Sequence, residues 1–329
     1  MTSFQDSSEE YRQFNRELEE FLSPLRELSD CTGCPRHCHA DRTRDRLGYC
    51  GTGAGLAVGA ICTHRGEEPV ISGKHGICNV FFTGCNMRCT FCQNYQVSRP
   101  PVARDGGMDL YDVTSRIESI LAGGATAVGF VSPSHVIPQV RIIAGALKAR
   151  GLRPTFVFNS NAYDRVQTIA SLGDVISVWL PDLKYMDDEL AVSLSDAPDY
   201  PEVATAAIRE MYQQTGPEIE LDDDGIIRSG LIIRHLVVPG QVENSRAVLR
   251  WIAGELSPSV HVSLMSQYCP TPEVADDAVL GRTLHAEEYE AVMEEFDRLG
   301  FYRGWRQDPD SSAGYLPDFN RPHPFEDQA

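Results

Sequence analysis

From Val80 onward, short apolar runs alternate with stretches of helical periodicity, and this rhythm constrains the fold more than any other feature of the chain. Six runs have the length and residue content of buried strands: 80–83, 125–131, 155–158, 175–180, 231–238 and 260–265. Amphipathic stretches at 113–121, 140–149 and 245–256 separate them. Strand–helix–strand alternation of this kind predicts βα units around a parallel sheet, an α/β fold. The link between the fourth and fifth runs is long, with a helix-like stretch at 202–213 and a hairpin-like Ile219–Ile227. No short-period repeat is superimposed.

The flanks differ from this core. Residues 1–28 are polar and helix-like, with Tyr11, Phe14, Leu18, Phe21 and Leu22 near helical spacing. Residues 31–78 are rich in Cys and Gly, and the last thirty or so in Pro, Asp and aromatics, which predicts an ordered wrap. The expected division is 1–78, a helix and Cys-rich metal-binding segment; 79–300, the α/β body; and 301–329, a wrap or lid.

A chain of 329 residues can bury one large core with a small appendage. The net charge of −18 argues against a nucleic-acid partner, since phosphate contacts need a basic face. No apolar stretch reaches membrane-spanning length, and the first residues lack the basic and apolar regions of an export signal, so a cytoplasmic location is expected. Ten cysteines in such a chain suggest metal ligands before disulfides.

Every strand candidate runs into a polar cluster. The first leads to Cys85, Cys89 and Cys92, the second to Ser132-Pro133-Ser134-His135, the third to Asn159-Ser160-Asn161 and the fourth to Asp182-Leu183-Lys184. The fifth carries Arg234 and His235 within it, and the sixth precedes Ser266-Gln267-Tyr268-Cys269. Parallel βα folds bind ligands at the carboxyl ends of their strands, so these clusters predict one site. Asp182 and Lys184 alternate and share a face if the strand persists. Arg234, inside an apolar strand, needs a carboxylate, either from a ligand or from an internal Asp or Glu. His135 and His235 are candidates for proton handling or for ordinary hydrogen-bonded burial.

Cys85-x₃-Cys89-x₂-Cys92 places three thiols on one short loop. Three thiolates can hold three irons of a [4Fe–4S] cube and leave the fourth open; structural zinc, which wants four ligands, and free thiols are the alternatives. In Cys31-x₂-Cys34-x₃-Cys38, with Cys50 beyond, four thiols form a candidate second site for an Fe–S cluster or zinc, or stand as free thiols.

The cysteine loop, with Phe91 before its last cysteine, resembles the cluster loop of the radical S-adenosylmethionine (radical SAM) enzymes. Over residues 31–320 the chain is similar to homologues of pyruvate formate-lyase activating enzyme, in Cys31–Cys38, Gly66-Glu67-Glu68-Pro69, Cys89–Tyr95, Phe130–His135, Trp179–Tyr185, Ile232–Asn244, Ser266-Gln267-Tyr268 and Pro317-Asp318-Phe319. The resemblance implies a partial (α/β)6 radical SAM barrel with a Cys-rich N-terminal extension and a C-terminal wrap. It implies a [4Fe–4S] cluster on Cys85, Cys89 and Cys92 that cleaves S-adenosyl-L-methionine to a 5′-deoxyadenosyl radical, an oxidoreductase-type reaction on a substrate hydrogen, a protein glycine being one candidate. Phe91 would pack on the adenine, Asp182 and Lys184 would meet ribose and carboxylate, Asn159 the ribose, and Arg234 the carboxylate. Many of the family hold the methionine amino group with a Gly-Gly-Glu-like segment; here Ser132 and backbone carbonyls would serve. The implied partners are a glycyl-radical-type protein substrate and a flavodoxin or ferredoxin-type electron donor. The alternatives are a radical SAM enzyme acting on a small metabolite and a non-catalytic Fe–S or zinc protein.

Overall fold

The computed structural model describes residues 21–99, 108–308, 316–321 and 323–325. The N-terminal helical pattern at Tyr11, Phe14 and Leu18 lies outside them. Phe21 and Leu22 lead into a 3₁₀ helix, Ser23–Asp30.

Nine strands among the described residues make one sheet: β1 (Val58–His64), β2 (Ile77–Phe82), β3 (Ala127–Val131), β4 (Thr155–Ser160), β5 (Val178–Pro181), β6 (Glu220–Leu221), β7 (Ile227–Leu236), β8 (His261–Met265) and β9 (Gly304–Arg306). The spatial order is β1-β2-β3-β4-β5-β7-β8-β9, with the short β6 paired to β7. From β2 to β9 the main path is parallel; β1 runs antiparallel to β2. Among the described residues β1 and β9 are the edges and nothing pairs them, so the sheet is open, not a closed barrel.

The six apolar runs of the sequence are the six central strands, β2 to β5, β7 and β8. Their register sets large side chains in rows: Val80 opposite Phe130, Phe130 opposite Phe158, and Phe158 opposite Trp179. Both faces of these strands are covered, which is why they read as continuous apolar runs and not as alternating ones. One face meets helices α1 (Leu110–Ala122), α2 (Ile137–Ala149), α3 (Val166–Ala170), α4 (Asp188–Ser195), α5 (Tyr200–Thr215) and α6 (Val242–Trp251), through Ile117, Val140, Ile143, Ile208 and Leu249. The other buries a smaller cluster of Ile77, Ala127, Val157, Val178, Leu180 and Ile232. Each fully buried large apolar side chain contributes about 1.5–3 kcal/mol.

Several bounds differ from expectation. The helix expected through residue 256 ends at Trp251 and passes into a π turn, Ile252–Leu256, that contains Gly254. Elements with no counterpart in the sequence reading include β1, β9 and helices α3, α4 and α7 (Ala286–Arg298). Helix α7 is closed at its start by a reciprocal cap between His285 and Glu288. No helix among the described residues is long and apolar enough to cross a membrane.

Candidate ligand-binding site

At the carboxyl ends of the parallel strands lies a cavity of about 450 Å³. Its lining brings together Cys85, Cys89, Phe91, Cys92, Ser132, Asn159, Asn161, Asp182, Lys184, Arg234 and Gln267, residues far apart in sequence and each carried by a strand or the loop after it. His135 and His235 are not among them.

Specific bonds hold the loops. Gly84 turns the chain out of β2 at φ +74°, and a Cβ there would lie 2.2 Å from the Cys50 carbonyl oxygen. The cysteine loop then donates from Arg88 N to Ser195 O (2.9 Å) and from Thr90 N to Leu194 O (2.9 Å). Asn86 donates to Tyr163 O (2.7 Å) and accepts from Asn161 Nδ2 (2.8 Å), which ties the loop to the end of β4. The Tyr200 hydroxyl lies 2.9 Å from Asn161 O and 2.8 Å from Asp182 O, and accepts from Lys184 N (3.0 Å). One buried phenol thereby fastens the ends of β4 and β5. Ser132 has left-handed backbone angles (φ 49°, ψ 52°), a strained conformation for a serine, and its N–H donates to Asn159 O at 2.7 Å.

The ionic floor of the cavity has two parts. Arg234 donates to both oxygens of Glu68, at 2.8 and 2.7 Å, and to Glu67. Its carboxylates are thus internal. Burial opposes ionisation of Glu67, but the Arg234 charge, with help from His64, overcomes it and holds the carboxyl below its usual range. Burial opposes the Arg234 charge in turn, and Glu67 and Glu68 raise its pKa well above the ordinary value. Beside this network Lys184 Nζ donates to Asp182 Oδ2 at 2.7 Å. The other carboxylate oxygen, Asp182 Oδ1, is buried and has no hydrogen-bond partner among the described residues; His64, another residue of the lining, has its Nε2 likewise buried and unpartnered there.

The two histidines of the sequence reading are structural. His235 bonds Leu183 O (2.7 Å) and Ser245 Oγ (2.8 Å), and His135 bonds Thr83 O (2.9 Å). Burial brings each pKa down to about 4, so both rings are neutral.

The metal expectations fail. Among the described residues, no group of three or more His, Cys, Asp or Glu side chains is arranged to hold a metal ion. This corrects the [4Fe–4S] cluster expected on Cys85, Cys89 and Cys92, and the second Fe–S or zinc site expected on Cys31, Cys34, Cys38 and Cys50. With them go S-adenosyl-L-methionine as cofactor, the radical SAM oxidoreductase activity, and the small-metabolite and Fe–S or zinc-protein alternatives.

The sequence reading missed Glu67 and Glu68 as the partners of Arg234, and did not name Trp305, Gln307 and Phe325, which line the cavity from the segment expected as a wrap. The adjacent acids just before Pro69, which opens a one-turn helix, were the signal for the first.

No family model matches the chain. An uncharacterized protein of Methanocaldococcus jannaschii, MJ0674, is 26% identical over 274 residues, which are 81% of this chain and 74% of that protein. A domain of pyruvate-formate lyase-activating enzyme from Bacteroides vulgatus matches 52% of this chain and 93% of its own, at 16% identity and TM-score 0.38. Streptococcus suis SuiB bound to S-adenosylmethionine matches 68% of this chain at 12% identity and TM-score 0.45. This chain spans 48% of that SuiB chain. These likenesses are distant and partial, and no activity follows from them.

Proposed function

We propose that the chain binds a small amine-bearing molecule in the cavity at the carboxyl end of its parallel sheet. The observation that carries this reading is the carboxylate of Asp182, a cavity-lining residue whose buried Oδ1 has no hydrogen-bond partner among the described residues. A buried acceptor left bare costs about 1–3 kcal/mol, more when charged, and a ligand donor would recover that cost. His64 Nδ1 lies 3.1 Å from Glu67 Oε1, and its buried Nε2 is a second polar atom left without a partner. Three carboxylates, Glu67, Glu68 and Asp182, face two cations, Arg234 and Lys184, so the floor favours a ligand with positive charge. Phe82, Phe91 and Phe325 on the walls suit an apolar or aromatic body. In this reading Ser132 and Asn159 are ligand contacts, Lys184 orients Asp182, and Arg234 positions the acidic floor.

The same reading covers the scaffold and surroundings. We take the six central parallel strands as an open, partial (α/β)6 barrel and its origin as shared with homologues of pyruvate formate-lyase activating enzyme, a kinship of scaffold and not of chemistry. All ten cysteines are free thiols, which favours the reducing cytoplasm. A polypeptide partner would have to reach the cavity past Pro317 and Phe325, and the net charge of −18 disfavours nucleic acid. An electron donor of flavodoxin or ferredoxin type has no acceptor here once the cluster is set aside.

A thermal-shift screen of small amines, each beside its N-acetyl derivative, tests the function. Stabilisation by free amines and not by acetylated ones supports it; equal stabilisation by both contradicts it.

A further inference from the structure

A second cavity, of about 400 Å³, lies between the N-terminal segment and the α2–α3 side of the body. Five arginines line it: Arg26, Arg36, Arg42, Arg141 and Arg165. The acids on the same lining are Glu27 and Asp30. A cationic cavity in a chain of net charge −18 is the reverse of what composition alone would produce.

Arg42 carries the buried charge of this cavity. It is 1% exposed, and its guanidinium donates to Thr52 O (2.9 Å), Thr52 Oγ1 (2.7 Å), Gly53 O (2.9 Å), His135 O (2.6 Å) and Cys31 Sγ (3.7 Å). Its five N–H groups are satisfied, yet no acceptor is a carboxylate. A buried charge without an opposite charge is costly even when hydrogen-bonded. Arg165 donates to Thr32 O (2.6 Å) and has no acidic partner among the described residues, while Arg141 bonds Glu27 (2.7 Å) and Ser171 Oγ (2.6 Å). Arg36 is held by Asn86 O (2.8 Å) and lies 3.6 Å over the Tyr49 ring. Arg42 thus supplies fixed charge, and Arg165 keeps N–H groups free to donate.

The geometry points to this cavity as a binding site for a small organic anion bearing phosphate or carboxylate groups. The anion supplies the charge that Arg42 lacks and accepts from Arg165 and Arg141. Arg42 comes from the N-terminal segment and the other two from the body, so the ligand also ties the segment to the body. The site is separate from the amine site and stands whether or not that site is filled.

The test is calorimetric titration of the full chain with inorganic phosphate and with citrate, at constant ionic strength. The probes run on the parent chain and on Arg165→Gln, Arg141→Gln and a control, Arg228→Gln, whose arginine pairs with Asp222 on the β6–β7 hairpin. The expected result is saturable binding of at least one probe, weakened about tenfold or more in Arg165→Gln and Arg141→Gln and unchanged in the control. If one variant fails to fold, the other carries the comparison. Absence of saturable binding by both probes, or equal binding by the parent and the folded cavity variants, overturns the proposal.

Discussion

Lys184 Nζ lies 2.7 Å from Asp182 Oδ2, while Asp182 Oδ1, on the same carboxylate, has no partner among the described residues. A carboxylate held on one oxygen and bare on the other is oriented without being saturated. The main chain supplies the orientation: Asp182 is bridged to Arg234, and Leu183 N donates to Arg234 O at 2.9 Å. The bare oxygen therefore sits at the junction of β5 and β7, next to the ion network of Arg234, Glu67 and Glu68.

That network should be essential to the fold. Arg234 is 11% exposed and Glu67 and Glu68 are 6% and 4% exposed, so Arg234→Met would leave two buried carboxylates without a cation. Removing one member of such a pair costs about 3–5 kcal/mol. Urea unfolding of the variant should show that loss, and a second change, Glu68→Gln, should restore part of it. A loss below about 1 kcal/mol would mean the network is not holding the sheet end.

Tyr200→Phe removes the hydroxyl that joins Asn161 O, Asp182 O and Lys184 N. The expected destabilisation is about 1–3 kcal/mol, with weaker ligand binding and unchanged helix content by circular dichroism. Unchanged stability and unchanged binding together would show that these loops are fixed by other contacts.

Gly129 in β3 leaves room for Asn79 of β2, since a Cβ at 129 would lie 2.2 Å from Asn79 Oδ1. Asn79 in turn donates to Glu67 at 2.8 Å. Gly129→Ala should cost about 1–3 kcal/mol through overpacking and disturb the Glu67 position. Asn79→Ala in the same chain should relieve the clash, so the double variant should lose less than the sum of the two single ones.

The sequence made the centre of this fold legible and its edges much less so. Six central strands are covered on both faces and appear as apolar runs. Strand β1 is interrupted by Gly59, where its register with β2 shifts and where Val97 and Thr83 crowd the backbone, so its seven residues carry no clean pattern. Strand β9 is three residues long, too short to leave a periodic trace. The site residues at the strand ends were legible because a polar cluster after each apolar run is a local signal. The partners of Arg234 were not, since Glu67 and Glu68 lie more than 160 residues earlier. The metal reading failed because cysteine spacing carries no information about burial or about how the donors are arranged in space.

Acid should destabilise the protein between pH 6.5 and 5. His135 and His235 have folded pKa values lowered to about 4 from 6.5, so their stabilisation is complete above pH 6.5 and is lost as pH falls towards 4. Asp164 works in the opposite direction: burial raises its carboxyl to about 6, and protonation in the fold relieves that cost. Over this interval the two histidines outweigh the one aspartate, for a net loss of roughly 2–3 kcal/mol. Asp164→Asn should enlarge the loss and His235→Gln should shrink it, both read by urea titration at each pH.

The amine-binding claim is tested most directly by calorimetric titration of 2-phenylethylamine and of its neutral counterpart 2-phenylethanol into the parent chain and Asp182→Asn. The probe pairs an ammonium for Asp182 with a ring for the phenylalanine walls. The amine should bind the parent more tightly than the alcohol by about tenfold or more, and Asp182→Asn should remove the difference. Equal affinity for amine and alcohol in the parent, or an amine preference that survives in Asp182→Asn, would contradict the claim.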